Sequence, residues 1–161
     1  MIRPAEPRDL ARIMAFWNPM IRDTTVTFSS EEKTEAGLTE MIATRRAAGY
    51  EFLVAEEDGQ VMGVATYAQF RGGNGYAHAM EHTIVLAPEA HGRGFGRALM
   101  SALEAHAKAA GCHVLVAGVS AENAAGLAFH ASIGFVETGR MPETGRKFGR
   151  WLDLVLMQKT L

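Results

Sequence analysis

The run His91-Gly92-Arg93-Gly94-Phe95-Gly96 constrains this chain more than any other segment, because it joins an apolar strand-like stretch ending at Leu86 to a stretch with helical periodicity. Phe95, Leu99, Ala102, Leu103 and His106 then recur on one helical face. The chain must therefore turn sharply from strand to helix. Glycine permits that turn and lets backbone N–H groups point inward, while the helix N-terminus adds partial positive charge. The same glycines would serve a tight packing turn, but Arg93 and Arg97 at the helix start weight the reading toward a site for a phosphate or pyrophosphate. No Gly-Lys-Ser/Thr follows, so this is not a nucleoside-triphosphate loop. Arg97 stands where the dinucleotide fingerprint needs its third glycine, which disfavours a nicotinamide or flavin dinucleotide.

The flanking sequence alternates between two periods. A short strand is expected at Ile2 and Arg3, followed by a helix opening near Pro7 and Asp9 with Leu10, Ile13, Met14 and Trp17 at helical spacing and Pro19 near its end. A second helix is expected after Ser30, carrying Leu38, Met41 and Ile42 and stopping at Gly49. From Tyr50 the period becomes that of strands. Tyr50–Glu57 and Val61–Phe70 flank Asp58-Gly59, a tight-hairpin dipeptide. A third strand is expected from Tyr76 to Leu86. Beyond the glycine turn and its helix, closed by Gly111, come a strand at His113–Val119, a helix opening near Asn123, a short strand around Phe135 and a last strand at Arg150–Gln158. No linker or repeat divides the chain. The expected fold is one domain over residues 1–161, a mixed α/β (α+β) sheet with helices on both faces.

Composition removes several functions. Sixteen Lys+Arg against eighteen Asp+Glu give a formal charge of -2, so the basic footprint of nucleic-acid binding is missing. No apolar run reaches the ~18 residues of a membrane span. Cys112 is the sole cysteine, and the opening residues are charged where a secretory leader is apolar, which points to reducing cytoplasm. No metal is expected: His78 and His82 on one strand would lie ~13 Å apart, too far to share an ion.

Val85–Gly96, with its glycine turn, resembles the coenzyme A pyrophosphate loop of the GNAT N-acetyltransferases, with His91 in the slot usually held by Arg or Gln. The resemblance runs on through Asn18, Thr24-Thr25, Phe28, the Leu53–Gly59 segment, the Glu81 strand, Asn123, His130, Gly134-Phe135 and Lys147-Phe148-Gly149-Arg150-Trp151-Leu152-Asp153. It covers nearly the whole chain and is similar to the phosphinothricin and methionine sulfoximine (methionine sulfone) acetyltransferase branch. It implies a mostly antiparallel sheet opened by a splayed strand pair, acetyl-CoA as co-substrate and a homodimer with an interface near residues 147–151.

Acetyl transfer to an amine needs a group that removes the ammonium proton. The resemblance gives this role to Glu81, which on sequence alone reads rather as a solvent-facing charge on an edge strand. It implies coenzyme A binding by Ile84, Val85 and Leu86 along the pantetheine, by Gly92, Arg93, Gly94, Phe95, Gly96 and Arg97 at the pyrophosphate, and by Asn123, His130 and Ser132. Val85 stands where relatives often carry Tyr. His130 would donate to the leaving thiolate or would pack beside the cofactor, and Asn123 is also a natural helix cap. For the acceptor the implied set is Phe28, Arg71, Glu81, His82 and Thr83, with Arg71 on the carboxylate. Gly73-Asn74-Gly75-Tyr76 lacks the second basic residue of phosphinothricin-specific relatives, which favours the sulfoximine and sulfone. Two other functions remain open: transfer to another amine, such as an aminoglycoside, a polyamine or a protein N-terminus, or a non-catalytic acyl-CoA sensor.

Overall fold

Asp58 and Gly59 both take positive φ (52° and 77°), the backbone state that closes a two-residue hairpin. On either side β2 (Phe52–Glu57) and β3 (Gln60–Gln69) pair antiparallel. They belong to a seven-stranded sheet that also contains β1 (Ile2–Pro4), β4 (Ala79–Leu86), β5 (Val114–Ser120), β6 (Val136–Lys147) and β7 (Arg150–Thr160). The spatial order is β1-β2-β3-β4-β5-β7-β6. The computed structural model describes residues 1–161.

Period-2 alternation sends successive strand residues to opposite faces. Val54, Val64 and Val85 meet α1 (Leu10–Asp23) and α2 (Glu35–Ala47) through Ile13, Phe16, Trp17, Leu38 and Ile42. Ala65, Tyr67, Leu115 and Ala117 meet α3 (Phe95–Ala109) through Leu99 and Leu103, with Leu127 and Phe129 of α4 (Ala124–Ser132) packed against the same core. This is the expected mixed α/β architecture with helices on both faces.

Every strand pair is antiparallel except β4 with β5. That parallel pair is short, running only through Ala79↔Val114, Met80↔Leu115 and Glu81↔Val116. Past Glu81, β4 stays with β3 to Leu86 and β5 stays with β7 to Ser120. The two strands part, and their facing edges are left with no strand partner.

Three elements differ from the sequence expectation. The second helix begins at Glu35, where Thr34 Oγ1 accepts from the Gly37 N–H at 3.0 Å. Ser30 lies outside it because Asn18 ties down Lys33 ahead of the helix: the Lys33 N–H donates to Asn18 Oδ1 at 2.7 Å, and Asn18 Nδ2 donates to the Lys33 carbonyl at 3.0 Å. The strand expected from Tyr76 begins at Ala79, since Asn74–Tyr76 forms a turn of 3₁₀ helix. The short strand expected around Phe135 is instead the long β6, which starts one residue later. β6 is an outer edge with bulges at Glu137/Gly139 and Met141/Gly145. Such an edge tolerates Pro142 and shows no apolar alternation.

β6 also supports the segment after α1. Lys147 is only 5% exposed, and its ammonium donates to the carbonyls of Ile21 at 2.6 Å and Thr27 at 2.8 Å. Gly145 leaves room for Phe28, whose ring would lie 2.4 Å from a Cβ placed there. Lys147→Met keeps the stem but leaves two carbonyls without their donor. It should lower unfolding free energy by about 2–3 kcal/mol, read as a shifted urea midpoint at unchanged slope.

Candidate active site

Two cavities meet where β4 and β5 part. The larger, about 990 Å³, runs along the N-terminus of α3 and is lined by Ile84, Val85, Leu86, His91, Gly92, Gly94, Gly96, Arg97, Asn123, Phe129 and His130, among others. Gly92 and Gly94 have φ of 73° and 87°, and the space where side chains would stand on them is empty. Gly94 precedes the first turn of α3 with no side chain capping it. The first-turn N–H groups and the positive end of a fifteen-residue helix thus face an open concave surface, which suits a pyrophosphate. Val85 has its side chain in the core, so it can offer the cleft little but backbone.

The loop residues do not all reach this cleft. Arg93 pairs with Glu57 at 2.5 Å and lies over the Phe95 ring, while Phe95 itself packs between the two core clusters. Ser132 donates to the Phe129 carbonyl at 2.6 Å on the exposed end of α4, and Arg97 reaches its hydroxyl at 3.4 Å. Asn123 caps α4, its Oδ1 accepting from the Gly126 N–H at 2.9 Å.

The smaller cavity, about 310 Å³, lies between α1, residues 26–29 and the parted strands. Phe28, His82 and Thr83 line it, as do His130, Ile84, Val85 and Asn123, which it shares with the larger cleft. Glu81 is exposed and is not itself a lining residue of either cavity, but its carboxylate Oε2 is 3.0 Å from where a Cβ on Gly118 would stand, and Gly118 lines the smaller cavity. Any side chain at that position would displace the carboxylate. Desolvation alone pushes the Glu81 carboxyl above the usual range, with no cation or donor offsetting it. A carboxylate so placed is a better proton acceptor than a free one.

His82 and His130 form a buried pair, Nε2 to Nε2 at 2.9 Å. His130 Nδ1 lies 2.7 Å from the Gly126 carbonyl, which can only accept, so Nδ1 carries the proton. In the neutral ring Nε2 is then an acceptor, and His82 Nε2 donates to it. This leaves His82 Nδ1 buried without a hydrogen bond. Burial and the neighbouring ring hold His82 down to about 3, and burial lowers His130 as well. Both rings are neutral at pH 7. In this arrangement His130 has no free proton to offer the cleft, so its positional role is the better supported of the two it was given.

Arg71 is placed apart from both cavities, on an exposed segment with its guanidinium over the Tyr76 ring at 5.5 Å. Sequence reasoning missed Trp17, Lys33 and Gly118 as cavity residues. Only the Asn18 contact could have pointed to Lys33, and it is not local in sequence. No group of three or more His, Cys, Asp or Glu is positioned to hold a metal ion, and no helix is long and apolar enough to cross a membrane.

Comparison with known proteins gives a consistent set of relatives. Residues 17–135 match the acetyltransferase (GNAT) family. The chain is 39% identical over 160 residues to an L-amino acid N-acyltransferase of Escherichia coli K12, covering 99% of this chain and 93% of that protein. It is 38% identical over 160 residues to the L-methionine sulfoximine/L-methionine sulfone acetyltransferase of Salmonella typhimurium, covering 99% and 94%. Among solved structures, a ribosomal-protein-alanine N-acetyltransferase from Brucella melitensis superposes with a TM-score of 0.96 at 39% identity, over 100% of this chain and 99% of that one. A phosphinothricin acetyltransferase from Sinorhizobium meliloti in complex with acetyl-CoA gives 0.94 at 33%, over 100% and 88%.

Proposed function

The chain belongs to the acetyltransferase (GNAT) family and is an acetyl-CoA-dependent N-acetyltransferase, and on that premise we propose that it acetylates the α-amine of a small amino acid or amino-acid analogue. L-methionine sulfoximine and L-methionine sulfone are the leading acceptors, with L-phosphinothricin a weaker one, and residues 1–161 act as one catalytic domain. The observation that carries this reading is the parting of β4 and β5, which joins a long anion-ready cleft to a separate 310 Å³ cavity through shared walls.

Bound acetyl-CoA supplies the thioester. Gly92, Gly94 and Gly96 with Arg97 hold its pyrophosphate, Ile84, Val85 and Leu86 guide its pantetheine, and Asn123 and His130 close the far wall; Arg93, Phe95 and Ser132 support this loop from outside. Glu81 takes a proton from the acceptor ammonium, directly or through a water. The freed nitrogen bonds to the acetyl carbon, the carbon–sulfur bond breaks, and the second proton of the nitrogen passes to the departing thiolate, leaving the amide and the free thiol. An ordinary thiol such as that of cysteine has a pKa of ~8.5, so a thiolate departs without a strong acid. Beyond Glu81 only alternate backbone N–H groups of β4 face the β5 side, and those, with no strand partner there, are available to a developing oxyanion. His82, Thr83 and Phe28 wall the acceptor, while Arg71, which lines neither cavity, is not brought to it. Both substrates are held together, so no covalent acyl-enzyme is needed.

A thiol-release screen with acetyl-CoA tests the reading. Methionine sulfone and sulfoximine should turn over well, phosphinothricin less so, and aminoglycosides and polyamines hardly at all. Coenzyme A binding with no turnover of any amine would replace the enzyme by a sensor.

Glu81 works when ionised, so kcat/KM should fall as pH drops through its raised pKa. Glu81→Gln should cost on the order of 10²-fold at pH 7, less at high pH where more amine is neutral, and leave coenzyme A affinity intact. Full activity in that variant would reduce Glu81 to a structural carboxylate.

We also place the protein in the cytoplasm, where acetyl-CoA and an unpaired Cys112 are at home, and as a homodimer. The β6–β7 ribbon supports the latter, since Val136, Met141, Phe148 and Trp151 are 63%, 44%, 58% and 59% exposed, more apolar surface than a monomer gains from showing. Light scattering should give twice 17.4 kDa, and Trp151→Glu with Met141→Asp should halve it.

A further inference from the structure

The acceptor cavity holds one side chain with a formal charge, and that charge has no counter-ion. Among the lining residues Lys33 is the only Lys, Arg, Asp or Glu, and the two histidines are neutral. The other lining side chains of that cavity are apolar, aromatic or uncharged polar ones. The ammonium sits 4.7 Å from the Trp17 ring centre, and no carboxylate reaches it within salt-bridge distance.

The placement is built rather than incidental. Asn18 bonds both the N–H and the carbonyl of Lys33, and Trp17, the neighbour of Asn18 on α1, lies beneath the ammonium. One turn of helix thus fixes both ends of the residue. Burial and the Arg45 guanidinium both work against the charge there, with only Glu31 helping. A desolvated, unpaired cation on a cavity wall disfavours cationic occupants and favours an occupant that brings an oxyanion. The same residue argues against polyamines and aminoglycosides as acceptors.

We propose that Lys33 recognises the acceptor through an oxyanionic or oxo group, either its α-carboxylate or the oxygen of its oxidised side chain. This rests on the acetyl-transfer reading above. It makes Lys33 a specificity-determining residue and relieves Arg71 of being the sole carboxylate partner. The amine then points toward Glu81 while the oxygen-bearing end is held on Lys33.

The test uses Lys33→Met, which keeps the stem over Trp17 and removes the charge, with Lys33→Arg as the conservative variant. The acceptors are L-methionine sulfone, its carboxamide, L-methionine and L-methioninamide, each measured for kcat/KM and, without turnover, for calorimetric binding. Lys33→Met should lower kcat/KM for methionine sulfone by roughly 10- to 100-fold, mostly through KM, with Arg restoring part of it. The KM for acetyl-CoA should not move, since Lys33 does not line the larger cleft. If the carboxylate is the group held, the penalty follows both acids and spares both amides. If the side-chain oxygen is held, the penalty follows the sulfone and its carboxamide and spares the two unoxidised acceptors. Loss of equal size on all four, or no loss, overturns the proposal. Acids that bind in a Lys33-dependent way without being acetylated would sink the reaction and keep the Lys33 assignment; wild-type protein that binds none of the four would sink the assignment itself.

Discussion

The interaction on which the rest depends is one that stops. β4 and β5 share three residue pairs and then separate, each still paired on its outer side. A sheet that stayed closed would satisfy every backbone group between them and leave no room for two substrates. Parting costs those bonds in the free protein and leaves the backbone groups on the facing edges without strand partners. Glu81 is the last residue of the shared stretch, so the carboxylate stands at the fork. Gly118 opposite it is two residues beyond the last pair, which is why the fork has space for a side chain on only one side.

Charge is distributed with the same economy. On the cleft side stand the positive end of α3 and Arg97. On the cavity side one lysine faces apolar walls, and one carboxylate, raised by desolvation, stands beside Gly118. The two histidines between them are neutral and hydrogen-bonded to each other. They form a polar but uncharged partition, so neither the acceptor ammonium nor the thioester meets a competing charge at the junction.

Local chemistry was legible in the sequence. Asp58-Gly59 has the backbone freedom its hairpin needs, Asn123 has the side chain its helix cap needs, and the glycine loop was readable as a strand-to-helix turn from its glycines and the helical periodicity after it. What escaped depended on distant parts of the chain. Ser30 is a plausible cap, yet Thr34 is used because Asn18, fifteen residues earlier than Lys33, bonds the Lys33 backbone just ahead of the helix. β6 was invisible as a long strand because an exposed edge imposes no alternation. His82 and His130 each looked like an isolated histidine, and their pairing spans forty-eight residues. Lys33 carries no local signal at all, since a lysine after two glutamates is ordinarily a solvated one.

The shared wall between the two cavities has a thermodynamic consequence. Met20, Val26, Ile84, Val85, Asn123 and His130 line both, so an occupant of one space alters the surface seen by the other. Linkage makes that influence symmetric: by whatever factor the coenzyme changes the acceptor's affinity, the acceptor changes the coenzyme's by the same factor. Substitutions at these six positions therefore act on a coupling energy as well as on two separate affinities. Their effects will not add to those of changes made on either side of the wall.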